Sequence, residues 1–210
     1  MKLLSALYHA TDPFLLFDDC IGIVDKTHLS EFDPADSVLL LWGGADISTS
    51  YYKQSPSVYT TARFFPSKRD WMEAEMIDHA VEVGMPIIGI CRGAQFLCAK
   101  AGGSLVQHLS GHEGNHRITT KAGRTLLANS THHQMMLPDE SGEVLAWATT
   151  RQSKDYWDGD GEMAPPEKEV EAVWWSKWKA LGIQGHPEYM APSSSFVGYC
   201  QQLVKEYILK

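Results

Sequence analysis

Apolar residues in this chain gather in short unbroken runs separated by amphipathic and polar stretches. Val38-Leu39-Leu40-Leu41-Trp42 and Pro86-Ile87-Ile88-Gly89-Ile90 show no polar alternation, which is the pattern of strands covered on both faces in a parallel sheet. Shorter runs predict strands over 3–8 and 20–24, and three more are expected at 144–149, 171–175 and 181–185, the last two joined by a turn near Lys177. Met72, Met76, Ala80 and Val83 recur at helical spacing and predict a helix over 70–83. Asp70 and Glu73 stand three apart there, as in a capping box, and Gly84 ends the run. A second helix follows residue 90 to about residue 100, with Gly102-Gly103 as its stop, and a terminal helix spans 193–208. The stripe Phe196, Tyr199, Cys200, Leu203, Val204 and Tyr207 on that last helix reads as core packing. Residues 12–19 carry no clear period, and a short helix is the reading there. Segments 48–68 and 151–168 read as loops, and 104–143 as less regular chain. Strands alternating with helices over the first two-thirds predict an α/β fold with a mainly parallel sheet, in one domain over 1–210.

Charge narrows the class. With 26 acidic and 18 basic residues the formal net charge is −8, so no basic excess exists to neutralise phosphates and a general nucleic-acid binder is excluded. The four cysteines, at 20, 91, 98 and 200, have neither disulfide-scaffold nor zinc spacing, which fits a reducing cytoplasm. His9 and Asp12 break the apolar N-terminal run, which reads as a strand rather than a signal peptide. No run approaches the roughly 18 apolar residues of a membrane span.

Chemistry concentrates at the second buried run. Cys91 lies in the frame Gly89-Ile90-Cys91-Arg92-Gly93, the cysteine version of a nucleophile elbow. Two glycines without Cβ atoms let strand and helix approach closely around a strained nucleophile. The N–H of Arg92 opens the helix at its positive end, where a thiolate is stabilised. By itself the stretch is equally a structural cysteine at an ordinary strand-to-helix turn. The second motif, Gly185-His186-Pro187-Glu188, decides between them. Pro187 keeps His186 out of the helical region, and residues two apart in an extended segment share a side. His186 can then serve as base while Glu188 fixes its tautomer. The chain order Cys, His, Glu differs from that of an α/β-hydrolase. Gly43-Gly44 ends the first buried run, where open α/β sheets bind ligands. His108, His112 and His116 would share a helix face, but Gly111 and Gly114 break the helix, so no metal is expected. Residues 158–162 fail the EF-hand template and read as a solvated acidic loop.

Over residues 36–190 the chain resembles the class I glutamine amidotransferases. It is most similar to their γ-glutamyl hydrolase branch, which includes γ-glutamyl-γ-aminobutyrate hydrolase, peptidase family C26. The motifs that carry the resemblance are Leu41-Trp42-Gly43-Gly44-Ala45-Asp46-Ile47, Arg69-Asp70 with Glu73, the elbow through Gln95 with Gly102-Gly103, Asn129-Ser130 with His132-His133-Gln134, and Gly182-Ile183-Gln184-Gly185-His186-Pro187-Glu188. The resemblance implies a flavodoxin-like three-layer αβα sandwich. It implies Cys91 as nucleophile, His186 as base and Glu188 as its orienter, with the backbone N–H groups of Gly44 and Arg92 as the oxyanion hole. Gln95 and His133 are the implied contacts for the glutamyl end. The implied reaction is hydrolysis of a γ-glutamyl amide through a thioester, with neither metal nor organic cofactor. A glutaminase subunit feeding ammonia to a synthetase partner is the alternative, and a non-enzymatic binding protein on the same fold is a third. A homodimer is compatible with each. The family's bulky aromatic before the histidine is replaced by Gly185, which is expected to open space beside the base.

Overall fold

The structure is a computed structural model that describes residues 1–6 and 11–210. In chain order the elements are β1 (Lys2–Ala6), β2 (Asp19–Ile23), α1 (Lys26–Leu29), β3 (Ser37–Leu41), α2 (Lys68–Val83), β4 (Ile87–Ile90), α3 (Arg92–Lys100), β5 (Ser104–Val106), β6 (His108–Leu109), β7 (His116–Thr120), β8 (Thr125–Ala128), β9 (Met135–Leu137), β10 (Glu143–Ala148), β11 (Tyr156–Asp158), β12 (Gly161–Glu162), β13 (Val170–Trp175), β14 (Ala180–Ile183) and α4 (Ser195–Leu203). Short 3₁₀ turns span Thr49–Tyr52, Ser176–Trp178 and Pro187–Tyr189, and α4 runs on into a π-turn at Val204–Ile208.

Nine strands form the central sheet in the order β2-β1-β3-β4-β14-β13-β10-β7-β8. The first five run parallel; β13, β10, β7 and β8 continue it antiparallel. Strand periodicity sends alternate side chains to opposite layers. Leu39 and Leu41 pack with Met76 and Ile77 of α2 and with Phe96 and Leu97 of α3. Val38 and Leu40 pack on the other face with Phe196, Tyr199 and Leu203 of α4. These are the three layers the apolar runs require, an αβα sandwich with α2 and α3 on one face of the sheet and α4 on the other.

Several local expectations are corrected. Residues 7 and 8 of the first expected strand lie outside the described residues. Segment 12–19 forms no helix, because the Asp12 carboxylate accepts from the N–H groups of Phe14, Leu16 and Phe17 and closes a turn instead. Helix α2 begins at Lys68: its capping box joins Ser67 to Asp70, which leaves Glu73 free for a different partner. The 104–143 segment is richer in strands than its sequence suggests, because β5 pairs with β9 and β7 with β8. The 151–168 segment holds the hairpin β11–β12, which pairs with β6.

Candidate active site

Three neighbouring parallel strands, β3, β4 and β14, end side by side. Beyond their carboxyl ends come Trp42-Gly43-Gly44, Cys91 and His186 respectively. Open α/β sheets bind ligands at this edge, and here it brings three separate sequence motifs together.

Cys91 has φ 50° and ψ −108°, a left-handed φ that is strained for a residue with a Cβ. The turn is held from both sides. The Cys91 N–H donates to the Ile183 carbonyl at 2.8 Å, and the Cys91 carbonyl accepts from the Gln95 N–H at 3.0 Å. Both flanking glycines are needed for close approach. A Cβ on Gly93 would stand 2.5 Å from the Leu41 carbonyl oxygen, and one on Gly89 would stand 2.5 Å from the Gly93 backbone. Cys91 is 7% exposed, so its thiol meets solvent only through the site.

His186 faces Cys91 across the Gly43 backbone and hydrogen-bonds the Glu188 Oε1 through Nδ1 at 2.7 Å. Burial opposes charge on the ring, but its interactions with Cys91 and Glu188 outweigh it and raise its pKa to about 9. The Asn129 Oδ1 accepts from the His186 N–H at 2.9 Å and sets the backbone. The pairing of His186 and Glu188 has a different cause from the one read in the sequence. His186 is extended, at φ −112° and ψ 90°, but Pro187–Tyr189 is a 3₁₀ turn, and that turn folds the carboxylate back to the ring. Space beside the base does not open at Gly185 either. A Cβ there would meet Phe196 Cζ at 2.8 Å and the Asn129 carbonyl oxygen at 2.9 Å, so other groups already occupy the place. The outer face of the imidazole is covered by Tyr189, whose ring lies 4.7 Å away and 11° from parallel.

Gly43 and Gly44 pass the nucleophile at close range. A Cβ on Gly43 would lie 2.7 Å from His186 Cε1 and 3.5 Å from Cys91 Cβ. Arg69 Nη2 donates to the carbonyls of Trp42 and Gly43 at 3.1 and 3.0 Å. Glu73 receives Arg69 Nε at 2.9 Å on one oxygen and Arg92 Nη1 on the other, and Asp70 receives Arg92 Nη2. Arg92, Asp70 and Glu73 are all at most 3% exposed, so the start of α2 is tied to the start of α3 by a dry ion-pair network. Among the described residues, neither the Gly44 nor the Arg92 backbone N–H has an acceptor. Arg69, Asp70 and Glu73 stand in the sequence as a helix start only. The spacing of Arg69 and Glu73, four apart on α2, was the available signal for their ion pair.

Gln95 and His133 stand close by with partners of their own. Gln95 Nε2 donates to the Gln134 carbonyl at 2.9 Å. His133 Nε2 pairs with Asp46 Oδ1 at 3.1 Å, an ion pair that raises the imidazole pKa against the opposing effect of burial. A cavity of about 330 Å³ is lined by Trp42, Gly43, Gly44, His186, Glu188 and Tyr189 among others. A second, of about 440 Å³, lies on the Asp46, Arg69 and Arg92 side of the same turn. Each has the size of a small-molecule site.

The family model for peptidase C26 matches residues 25–155. The chain belongs to the peptidase C26 family, and with it to the class I glutamine amidotransferase-like proteins. A Mycobacterium tuberculosis protein provisionally named a glutamine amidotransferase is 32% identical over 170 residues, covering 71% of this chain and 50% of that protein. Protein NtpR of Enterococcus hirae is 29% identical over 180 residues, covering 81% and 74%. The C26 chain thus spans half the length of the first of these relatives. Among solved structures, a glutamine amidotransferase of Thermotoga maritima superposes with a TM-score of 0.55 at 14% identity over 99% of this chain and 85% of that one. The PurLQS structure of Thermotoga maritima gives 0.58 at 17%, over 99% and 97%. At such identities these two show the fold alone. Among the described residues no helix of this C26 chain is long and apolar enough to cross a membrane.

Proposed function

We propose that this chain hydrolyses γ-glutamyl amide bonds through a glutamyl thioester on Cys91. The observation that carries the reading is the meeting of Cys91 and His186 at the ends of β4 and β14, with His186 Nδ1 bonded to Glu188 at 2.7 Å and, among the described residues, two backbone N–H groups without acceptors beside them. Cys91 Sγ attacks the γ-carbonyl carbon, and the oxygen takes the electron pair. The N–H groups of Gly44 and Arg92 receive that oxyanion, each worth about 3–4 kcal/mol of barrier. His186, protonated up to a pKa of about 9, gives its Nε2 proton to the departing amine as the C–N bond breaks. The now neutral ring takes a proton from water, the water oxygen adds to the thioester, and glutamate leaves as the thiolate returns. Glu188 holds the ring and offsets its charge throughout. On this reading Gln95 and His133 with Asp46 border the glutamyl end.

A panel of γ-glutamyl amides, from glutamine through γ-glutamyl amines to oligo-γ-glutamates, scored by glutamate release, tests it. Turnover of at least one member, abolished in Cys91→Ala, is expected; full retention of activity in Cys91→Ala overturns the reading. A glutaminase subunit serving a synthetase is the second reading, favoured by the name of the M. tuberculosis relative. Such a subunit would stay nearly silent on glutamine until partner and acceptor were added, whereas a free-standing hydrolase releases glutamate alone.

A further inference from the structure

Five ionisable side chains outside the Cys91 site pack together almost without solvent. His112, His116, His132, Glu169 and Glu171 are between 0 and 6% exposed. They come from the loop before β7, from β7 itself, from the loop between β8 and β9, and from the entry to and body of β13.

Hydrogen bonds and carboxylate contacts orient the rings. Glu169 accepts from three donors, the N–H groups of Gln152 and Ser153 at 2.7 and 2.9 Å and the Tyr156 hydroxyl at 2.6 Å, and its Oε2 stands 3.3 Å from His112 Nε2 as a charge contact. His112 lies between two carboxylates: a proton on Nε2, the nitrogen nearer a carboxylate, leaves the Nδ1 lone pair toward Glu171 Oε1, 3.6 Å away. His132 donates Nδ1–H to the Gln134 carbonyl at 2.8 Å, so its Nε2 lone pair faces the same Glu171 oxygen at 3.9 Å. Among the described residues, both ring nitrogens of His112, His132 Nε2 and Glu171 Oε2 have no hydrogen-bond partner. Two lone pairs and a carboxylate thus converge in a dry interior, which is costly without a positive charge between them. Protonating both rings would set two imidazolium charges 4.7 Å apart instead.

We propose that His112 Nδ1, His132 Nε2 and the Glu171 carboxylate hold a divalent first-row transition metal ion, zinc in particular. All three donor groups lie within 4.8 Å of one another. Ligands at tetrahedral corners around zinc stand about 3.4 Å apart, close to the 3.6 and 3.9 Å found. The surrounding groups are those of a finished site. Glu169 Oε2 stands 3.3 Å from the outer nitrogen of His112, the Gln134 carbonyl accepts from that of His132, and His116 Nε2 donates to Glu171 at 2.9 Å. The ion is a brace rather than a reacting group: it ties two loops to β13, and one of them carries Asn129, which holds the His186 backbone. The sequence spacing of His108, His112 and His116 missed it. His108 lies apart, stacked on Tyr59 at 4.8 Å, and its place is taken by His132 and Glu171. The site is independent of the γ-glutamyl reading.

The test uses the untagged full chain in a Cys91→Ser background, so that no active-site thiol competes for metal. Chelator-treated protein is titrated with zinc, desalted and assayed for bound metal and melting temperature, and cobalt(II) replaces zinc for spectroscopy. One equivalent per chain, a higher melting temperature and the visible bands of tetrahedral cobalt(II) are expected. Glu171→Gln and His132→Ala should lose the metal, Glu169→Gln should bind about 10–100-fold more weakly, and His108→Ala should bind as before. No retained zinc and no thermal shift overturns the proposal, as does undiminished binding by folded Glu171→Gln. Should that variant fail to fold, cobalt-loaded wild-type chain lacking tetrahedral bands overturns it equally.

Discussion

Arg69 orients the backbone at Gly43. Its Nη2 donates to the Gly43 carbonyl at 3.0 Å, and in a trans peptide the carbonyl and the following N–H point opposite ways. The Gly44 N–H must therefore face away from the guanidinium. Nη1 also stands 2.3 Å from where a Gly44 Cβ would be, so the arginine occupies that side of the strand. Arg69 is a positioning residue for the proposed oxyanion hole. Arg69→Met is expected to lower kcat by about 100-fold or more, in the range of a lost oxyanion donor, with KM little changed. Steady-state kinetics on the best γ-glutamyl amide separates this from a general folding defect, which would lower the active fraction and leave kcat per active site intact.

Glu188 sets both the orientation and the charge of His186. Glu188→Gln keeps the shape, removes the anion, and should reduce kcat by about 100-fold or more. The pH profile carries the sign. His186 is raised to about 9, above its ordinary range, so activity that needs the imidazolium is full at neutral pH and falls as pH rises through about 9. Without Glu188 one raising contribution is gone, and the alkaline limb should move to lower pH. An unmoved limb in Glu188→Gln would show that the carboxylate does not act through the ring.

Gly43→Ala places a methyl 2.7 Å from His186 Cε1. The base must shift, while the strand loses no hydrogen-bonding group. The expected outcome is a melting temperature within a few degrees of wild type together with at least about 100-fold lower activity, since small misplacements of reacting groups cost that much. Circular dichroism melting and glutamate release on the same preparation check it.

The ion-pair network has an asymmetric cost. Arg92→Ala leaves Asp70, 3% exposed, without its cation and Glu73, 0% exposed, with Arg69 alone, and should destabilise the fold by about 3 kcal/mol. Arg92 also donates a backbone N–H, which alanine retains. Urea unfolding should thus show a large loss of stability, while kcat per folded molecule falls far less than in Arg69→Met.

Legibility in the sequence followed the range of the forces involved. The elbow could be read because Gly89, Cys91 and Gly93 are local, and their spacing is itself the geometry. The unbroken runs at 38–42 and 87–90 revealed buried parallel strands for the same reason. His186 and Glu188 could be paired by spacing, although a 3₁₀ turn rather than an extended segment brings them together. The Arg69–Glu73–Arg92–Asp70 network bridges two helices, and only its Arg69–Glu73 pair, four apart on α2, is announced by one helix alone. The His112, His132 and Glu171 cluster joins residues up to 59 positions apart through tertiary pairing of short strands, whose weak two-fold alternation hid them in 104–143.

The central claim is that Cys91 is the atom that bonds to the γ-glutamyl carbon. A diazoketone analogue of glutamine reacts with the nucleophile that occupies that position, and peptide mass spectrometry locates the adduct. Labelling confined to the peptide containing Cys91, slowed by a competing γ-glutamyl amide and strongly reduced in His186→Ala, is the expected result. Labelling at Cys20, Cys98 or Cys200, or at no cysteine while γ-glutamyl amides are still turned over, would contradict it.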